Sequence, residues 1–417
     1  MERTILHSDL NNYFASVECL LDPLLRDRPV AVCGNPAERH GIVLAKNQLA
    51  KQYGVSTGEA IWQARQKCPS LTVVPPHYRK YVEFSRQVRA IYCRYTDLVE
   101  PFGIDECWLD VGGSRLLFGT GEQIAEQIRR AVRQETGLTV SIGISFNKTF
   151  AKLGSDLKKP DAITLVPQEH FRDIVWPLPV EDIIGVGRAT AGVLARCGVH
   201  TIGQLASLPK RAIHGWLGAG GVALWERANG LDYAPVAPYW LHTPPKSIGR
   251  GVTCICDLHT DAEVRQVIIE LAQEVARGLR AEKLSAGGIR LTVKDNRLVS
   301  ADYSGRPPAP TRSWTLLWRQ AFDIFTARYS WQTPVRALTV TAFDLIADSS
   351  PRQLSLFDDR LSDPDRLSHL EDAVEDIRLR FGDGSIFLAC TLLDHALPGH
   401  ARFHIRAGTP EPIAKHL

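Results

Sequence analysis

The stretch VEPFGIDECWLDVGG, residues 99–113, is the most informative part of this chain of 417 residues. Apolar residues lie on both sides of Gly103, and the stretch ends in two glycines, which predicts a pair of strands joined at that turn. The adjacent acids Asp105 and Glu106 stand at the start of the second strand. A sheet exposes such side chains at its edge, where they are free to meet other groups.

The regions on both sides of this stretch extend the same pattern. Residues 4–8 predict a strand that runs into Asp9 and then into a helix over about 12–21. Downstream, a helix over 120–136, a buried strand and a further helix follow up to residue 157. Strands that alternate with helices predict an α/β layer built on one sheet.

The second half of the chain is organised differently. From about residue 177 the sequence becomes helical with glycine-containing turns, and the proline-rich residues 234–245 are typical of a linker. Residues 246–348 contain three apolar strands and two long helices, which indicates a separate small α/β domain.

Composition excludes several classes of protein. The content is 44% hydrophobic and 23% charged, as in ordinary globular proteins, and the net charge of +3 gives no whole-chain argument for nucleic acid. No window reaches the ~18 apolar residues of a membrane span, and no leader is evident, so we expect a cytoplasmic protein. The nine cysteines, an odd number, indicate reduced thiols. The closest pair, Cys254 and Cys256, lacks a second pair of zinc ligands and is interpreted as structural.

The three carboxylates at strand ends suggest a specific chemistry. Phosphoryl transfer by two Mg²⁺ ions needs shared carboxylates of the kind that Asp9, Asp105 and Glu106 provide. The alternative is that Asp9 caps the helix that follows it, while the other two lie in an exposed turn. Spacing alone leaves both interpretations open.

Several long motifs, in order along the chain, resemble one protein family. They are HSDLNNYFASVE (7–18), GIDECWLDV (103–111), SIGISFNKTFAKLGSDLKKPDAI (141–163), PVEDIIGVGRAT (179–190) and KSIGRG (246–251). Together they resemble the Y-family of DNA polymerases, in particular its DNA polymerase IV branch. The resemblance covers roughly residues 1–350.

The resemblance implies an α/β multidomain fold with the right-hand arrangement of a polymerase. The palm and fingers would occupy residues 1–175, with the fingers at about 20–78, and a helix-hairpin-helix thumb would occupy 176–233. After a linker at 234–245, a small α/β little finger would span 246–348. Residues 349–417 would form a tail.

The resemblance also assigns roles at the palm. Asp9, Asp105 and Glu106 would be the catalytic residues and would hold two Mg²⁺ ions, with the backbone carbonyl of Leu10 as a further ligand. Phe14 would be the steric gate, whose ring leaves no room for a 2′-hydroxyl. Its neighbour Tyr13 is the less favoured gate.

Cations and donors for the triphosphate would come from the palm and the fingers. Lys159 matches the triphosphate lysine of the family. The usual tyrosine and arginine of the fingers are replaced by Gln48 and Lys51. Lysine supplies a charge there but lacks the bidentate geometry of arginine.

DNA contacts are expected in the thumb and the little finger. Backbone N–H groups at Gly185 and Gly187, in a helix-hairpin-helix, would hold a phosphate without reading bases. Candidate contacts in the little finger are Lys246, Arg250, Arg290 and Lys294.

The tail contains the peptide QLSLF, residues 353–357, between polar flanks. It resembles the peptide by which bacterial polymerases bind the sliding clamp, through Gln353, Leu354, Leu356 and Phe357, with the last two as anchors. The alternative is a strand that packs on its own domain. The later residues LEDAVEDIRLRFGDGSIFLAC predict a helix and a strand of unknown role.

The function implied is template-directed, error-prone translesion DNA synthesis without proofreading, by a monomer acting on primer-template DNA and deoxynucleoside triphosphates. Two rivals are a non-catalytic DNA- and clamp-binding adaptor and another palm-fold enzyme such as a nucleotide cyclase. A third is a catalytic subunit like the UmuC subunit of polymerase V, which requires partner proteins. Ile42 and Leu44, which should lie over the templating base, predict poor tolerance of bulky template adducts.

Overall fold

The computed structural model describes residues 3–35, 39, 41–241, 243–350 and 364–389. Within these ranges the chain forms three sheets and a helical region. The strands are β1 (Ile5–Leu10), β2 (Val30–Cys33), β3 (Val43–Lys46), β4 (Thr72–Val74), β5 (Val99–Phe102), β6 (Glu106–Asp110), β7 (Val140–Ser145), β8 (Ile163–Leu165), β9 (Ser247–Leu258), β10 (Leu284–Asp295), β11 (Ser300–Gly305) and β12 (Val335–Ala347).

Helices connect and cover these strands. They are α1 (Tyr13–Leu21), α2 (Gln48–Gln52), α3 (Ile61–Lys67), α4 (Tyr78–Tyr92), α5 (Arg115–Phe118), α6 (Gly121–Thr136), α7 (Lys148–Leu157), α8 (Phe171–Val175), α9 (Arg188–Arg196), α10 (Ile202–Ser207), α11 (Lys210–Ala228), α12 (Asp261–Ala281), α13 (Trp314–Arg328) and α14 (Pro364–Phe381). None of them, in the ranges described, is both long and apolar enough to cross a membrane.

The five-stranded sheet has the order β5-β6-β1-β7-β8. Its central strand β1 pairs antiparallel with both β6 and β7, and all six of its residues are buried. Helices α4 and α6 bury apolar side chains against one face of the sheet, while α7 packs on β1 and β7. Three of the six residues of β1, His7, Ser8 and Asp9, are polar although they are buried.

Helix α7 begins at a side-chain cap and lies unusually close to the sheet. The Asn147 side chain accepts a hydrogen bond from the N–H of Phe150 at 2.7 Å, which satisfies one amide of the first turn. A Cβ built on Gly143 of β7 would lie 1.9 Å from the carbonyl oxygen of Ala151. Only glycine therefore allows this approach, which holds α7, and with it Lys152, against the sheet.

The four-stranded sheet has the order β11-β10-β12-β9 and is antiparallel throughout. Its buried residues, such as Leu291 and Val340, pack with α12 and α13 on one face. The opposite face carries small and polar residues. It includes Gly251, where a Cβ would lie 2.3 Å from the Thr339 hydroxyl.

Two smaller regions complete the described chain. Strands β3-β2-β4 form a three-stranded sheet with a compact apolar core that includes Ala50 of α2 and Ala64 of α3. Helices α8 to α11 pack around a separate core, and α11 contains a kink at Gly218, whose φ is +62°. The sequence predicted this region to be helical, which is confirmed.

Several element predictions differ from the structure in instructive ways. The helix expected over 79–97 ends at Tyr92, and beyond it the N–H of Leu98 donates to the Thr96 hydroxyl just before β5. The edge strand β11 was missed because SADYSG has no apolar run. The strand expected after α14 is absent from residues 386–389.

Candidate active site

The three carboxylates come together where β1 and β6 pair. Asp9 and Glu106 are directly opposite each other in the antiparallel register, and Asp105 immediately precedes β6. The N–H of Leu10 donates to the carbonyl of Asp105 at 3.1 Å, which ties that residue to the strand. The three acids therefore lie close together, as the sequence predicted, but Asp9 is buried and not exposed.

A lysine engages each of the two paired carboxylates. Lys159 Nζ lies 2.6 Å from Asp9 Oδ2, and Lys152 Nζ lies 2.6 Å from Glu106 Oε2. Lys159 also contacts Asp156 Oδ1 at 2.8 Å. Lys152 reaches Glu106 because α7 is held so close to β7, and Lys159 follows two residues after the end of that helix.

The two aspartates share an electrostatic environment that disfavours their charge. Burial raises the pKa of Asp9 to about 6, an effect that Lys159 opposes and the charges of Glu106 and Asp105 reinforce. Burial and then the Glu106 charge also raise the pKa of Asp105. Carboxylates that repel one another in a buried place are stabilised by a bound cation.

Glu106 behaves differently from its neighbours. Burial alone would raise the pKa of its carboxyl, but the neighbouring His7 and Lys152 side chains outweigh burial and lower the pKa to about 2. Glu106 is therefore the member of the three that stays charged most readily. A group that remains ionised is available as a permanent ligand.

As they stand, the carboxylates are not arranged as a closed set of metal ligands. Among the described residues, no three acidic, histidine or cysteine side chains lie close enough together to hold a metal. The donor set nevertheless fits magnesium, because it consists of carboxylate oxygens, the ligands that this hard cation prefers. Lys152 and Lys159 would have to release Glu106 and Asp9 for both to become ligands.

Sequence reasoning missed His7, which is fully buried beside this site. Its Nδ1 lies 2.8 Å from Ser155 Oγ, and its Nε2 lies 3.5 Å from Glu106 Oε2. Burial lowers the pKa of the imidazole. The signal was available, because His7 stands two residues before Asp9 and strand residues two apart face the same side.

Phe14 lies in the first turn of α1, close behind the carboxylates. Its ring stacks on Tyr81 of α4 with centroids 4.1 Å apart, and its edge meets Tyr78. Tyr13 is buried, and its hydroxyl donates to the Tyr81 carbonyl. Phe14 is half-buried and is the more accessible of the two rings.

The finger residues lie apart from the carboxylates. Gln48 and Lys51 are exposed on α2, and neither makes a hydrogen bond or ion pair with the three acids. Lys46, which sequence reasoning did not single out, contacts the Thr57 hydroxyl at 3.0 Å. Ile42 is 45% exposed at the start of β3.

The thumb glycines adopt the geometry of a tight turn. Gly185 has a φ of +100°, and Gly187 is the N-cap of α9, where no side chain satisfies the helix amides. Free N–H groups at a helix start can receive a phosphate. The first arm of the hairpin is one short 3₁₀ turn, Val180–Asp182, and not a full helix.

The little-finger candidates lie on different faces of the four-stranded sheet. Arg290 and Lys294 alternate with core residues of β10 and lie on its open face, and the Arg290 guanidinium is 5.5 Å from the Phe343 ring. Arg250 pairs with the core residue Val340, and its guanidinium donates to the Gly249 carbonyl beside α12. Lys246 is exposed just before β9.

The proposed clamp peptide, with Gln353, Leu354, Leu356 and Phe357, lies outside the described residues. Of the nine cysteines, the eight within the described ranges form no disulfide.

Comparison with known proteins gives consistent matches. The model of the impB/mucB/samB family matches residues 8–156, and that of its C-terminal domain matches residues 245–356. A DNA polymerase IV of Acetivibrio thermocellus is 44% identical over 397 residues, which are 95% of this chain and 99% of that protein. DNA polymerase IV 1 of Bacillus subtilis is 36% identical over 400 residues, 94% of this chain and 93% of that protein.

A solved structure supports the fold independently. A Y-family DNA polymerase chimera superposes with a TM-score of 0.72 at 22% identity, over 82% of this chain and 99% of that chain. At this level of identity the likeness concerns the fold alone.

Proposed function

This chain belongs to the impB/mucB/samB family and is a DNA-directed DNA polymerase of the Y-family, and on that premise we propose that it performs error-prone translesion synthesis without proofreading. The family supports the translesion role. The observation that carries the proposal is the pairing of Asp9 with Glu106 in the strand register, with Asp105 beside them.

Asp9, Asp105 and Glu106 are proposed to hold two Mg²⁺ ions, with the Leu10 carbonyl as an added ligand. When bound, these ions would make the primer 3′-hydroxyl a better nucleophile and neutralise charge on the departing pyrophosphate. The repulsion between Asp9, Asp105 and Glu106 supports this proposal, because bound cations remove it.

Lys159 is proposed to bind the triphosphate together with Gln48 and Lys51. In the structure Lys159 is occupied by Asp9 and Asp156. Once Asp9 is a metal ligand, the ammonium group of Lys159 can turn to the phosphates. Lys152 would likewise leave the coordinating oxygen of Glu106.

Phe14 is proposed to be the steric gate. Its stacking on Tyr81 holds the ring in place, and a rigid ring excludes a 2′-hydroxyl better than a mobile one does. Rejection of a substrate by shape in an apolar pocket changes the ratio of kcat/KM values by about 10- to 200-fold. We expect Phe14 to disfavour ribonucleotides by a factor on this scale.

We assign the palm and fingers to residues 1–175, the thumb to 176–233 and the little finger to 246–348. The Gly185 to Gly187 turn would hold a DNA phosphate, and Arg290 and Lys294 would contact the backbone from the open face of the sheet. The peptide at 353–357 would bind the sliding clamp. We expect a monomer that acts in the cytoplasm.

Primer extension by the purified chain alone tests this proposal. We expect wild type to extend a primer with Mg²⁺ and deoxynucleotides, Asp105→Ala to lose extension, and Phe14→Ala to gain ribonucleotide incorporation. Phe118→Ala, which removes another half-buried ring from the same layer, is the matched control and should keep the deoxynucleotide preference.

The same assay separates the remaining alternatives. A folded wild type that binds DNA but extends only with added partner proteins would favour the arrangement of polymerase V. Extension that survives in Asp105→Ala would overturn the metal site. Unchanged ribonucleotide discrimination in Phe14→Ala would remove the gate assignment and leave the polymerase intact.

A further inference from the structure

A short turn carries Lys159 from α7 to the palm. Helix α7 ends at Leu157 and β8 begins at Ile163, so residues 158–162 join the two elements. Residues 156–160 are exposed, and within the described chain none of them belongs to an apolar core. A segment without buried apolar contacts is held by its polar contacts, and these decide where its side chains start.

Asn11 reaches this turn from the end of β1. The residue is 6% exposed, and its Oδ1 accepts from the N–H of Asp161 at 2.8 Å and from the Thr139 hydroxyl at 3.1 Å. Its Nδ2 donates to Ser141 Oγ at 2.9 Å. The backbone N–H of Asn11 also donates to the Thr139 carbonyl at 2.9 Å. A buried amide that is paired at both ends is held in one orientation, so the N–H of Asp161 meets a fixed acceptor.

Asp161 is held through its side chain as well. Its carboxylate lies 3.0 Å from Arg129 Nη1 and 3.2 Å from Arg133 Nη1, and both arginines belong to α6. Its φ is +56°, in the left-handed region that residues other than glycine seldom adopt. A backbone in this conformation persists where its surroundings hold it. The contacts to Asn11 and to α6 provide that hold two residues away from Lys159.

Lys159 is the charged group that the turn delivers to the site. Its Nζ lies 2.6 Å from Asp9 Oδ2 and 2.8 Å from Asp156 Oδ1. A lysine side chain is long and flexible, so its ammonium group is confined to a small volume only when its backbone is fixed. The contacts described for Asn11 and Asp161 fix that backbone and involve none of the three carboxylates.

We propose that Asn11 and Asp161 are positioning residues for the polymerase reaction. They form a clamp on the turn that carries Lys159, so that its ammonium group is placed for the triphosphate before the nucleotide binds. This inference rests on the proposed role of Lys159 and adds the residues that act through that lysine. A group that is ordered before binding has less freedom to lose when the ligand arrives. Loss of either clamp residue should therefore weaken nucleotide binding, and only in a chain that still has Lys159.

Binding of the next correct deoxynucleotide to the full chain on a dideoxy-terminated primer-template tests this proposal without any insertion step. The Kd is measured with Mg²⁺ from the fluorescence of a 2-aminopurine in the template. We expect Asn11→Ala and Asp161→Ala each to raise the Kd about three- to tenfold, the scale of one lost hydrogen bond. Thr139→Val is the matched control, because it removes the other donor to Asn11 Oδ1 and leaves the turn unchanged. It should bind the nucleotide as wild type does.

The same substitutions in a Lys159→Ala chain show whether the clamp acts through the lysine. Lys159→Ala alone should raise the Kd. Adding Asn11→Ala or Asp161→Ala to it should raise the Kd by less than about twofold further, because residues that act as one unit are not additive. A purely structural role would give the same fold-change with and without the lysine, and that result would overturn the proposal.

The failure of the clamp differs from the failure of the role proposed for Lys159. If Lys159→Ala binds the nucleotide as wild type does, the triphosphate assignment fails, and the clamp is overturned with it. If Lys159→Ala binds more weakly while both clamp variants bind as wild type does, the clamp alone is overturned.

Two further results separate the clamp from a general disturbance of the palm. A rise in Kd in Thr139→Val equal to that in Asn11→Ala would attribute the effect to the surroundings of Asn11, and it would overturn the clamp. Asp161 is half-buried on a turn outside the apolar cores of the described chain. Asp161→Ala therefore decides the question even where the melting temperature shows that Asn11→Ala does not fold.

Discussion

Two buried acidic sites of this chain are built in opposite ways. At the palm, Asp9, Asp105 and Glu106 face one another, and burial together with their mutual repulsion raises the pKa of both aspartates. On the helical face of the little finger, Glu371 of α14 is surrounded by Ser313, two backbone amides at the start of α13 and Arg280. The first site has fewer cations than acids. At the second site, hydrogen-bond donors and a cation surround a single carboxylate.

This difference separates a site that binds a ligand from one that holds the fold together. Acids that repel one another cost stability until a cation arrives, whereas a fully hydrogen-bonded acid stabilises the folded state at once. The lysines at the palm contact the acids through flexible side chains, so they can leave. Two of the four partners of Glu371 are backbone amides, which cannot leave.

The sharpest test of this contrast is Asp105→Asn. Nucleotide insertion should fall by about 10³-fold or more, since a ligand for the activating cations is lost. The melting temperature should nevertheless stay equal or rise, because one of the repelling charges is gone. A drop of several degrees in the melting temperature would mean that Asp105 stabilises the fold. The palm site would then not differ from the Glu371 site in this respect.

Glu371→Ala should have the opposite effects: a loss of stability with nucleotide insertion retained. Removing one partner of a buried ion pair typically costs about 3–5 kcal/mol, and the first turn of α13 also loses its cap. We expect that loss in the free energy of unfolding of the C-terminal unit, followed by urea denaturation, with insertion on undamaged primer-template kept. Asp376→Ala, on the exposed side of the same helix, should stay within about 0.5 kcal/mol of wild type.

The pH dependence of stability gives a smaller and directional test. The pKa of Asp9 is about 6 in the folded protein against an ordinary 3.8, so the folded state retains a proton that the unfolded state loses between these values. The stability that this proton brings is complete below about pH 4 and is lost as the pH rises through 6.

Asp9→Asn does not titrate at this position. Relative to wild type, its free energy of unfolding should rise by roughly 1–3 kcal/mol between pH 4 and pH 7, measured by urea denaturation with EDTA present. A difference that is flat across this range would show that burial and the neighbouring acids do not raise the pKa of Asp9. Asp376→Asn controls for the loss of a carboxylate as such.

The smallest expected effect concerns two arginines of the same sheet. Arg290→Ala should weaken DNA binding a few-fold and reduce the slope of log affinity against log salt by about 1, as expected for one phosphate contact. Arg250→Ala, whose guanidinium lies beside α12, should change that slope little. Equal slopes for the two variants would show that the face of the sheet does not decide which charges meet DNA.

The sequence indicated that the carboxylates lie together, because each stands at or beside the end of a strand, but it did not indicate that Asp9 is buried. Asp9 and Glu106 follow from this rule once the strands are paired. The lysine partners do not follow, since the closeness of α7 depends on a glycine in a strand whose neighbours are unknown from the sequence. Sequence reasoning did not assign His7 to the site, although its spacing of two residues from Asp9 indicated that both side chains lie on the same side of the strand.

The C-terminal unit shows more clearly what local sequence patterns cannot predict. Helix α14 was predicted from its pattern, but its docking joins residues about ninety positions apart, as in the contact between Arg280 and Glu371. Local patterns carry no such information. The side to which Arg250 points was also beyond reach, because it depends on the register between β9 and β12.

Gly143 has a consequence for how this polymerase tolerates change. The absence of a side chain there fixes the distance between the strand that carries Asp9 and the helix that carries Lys152. A single methyl group added at this position would displace the whole of α7. The charged side chains of the helix would move with it, although none of them had been substituted. The placement of the charged groups at the palm therefore depends on Gly143, a residue that has no side chain of its own.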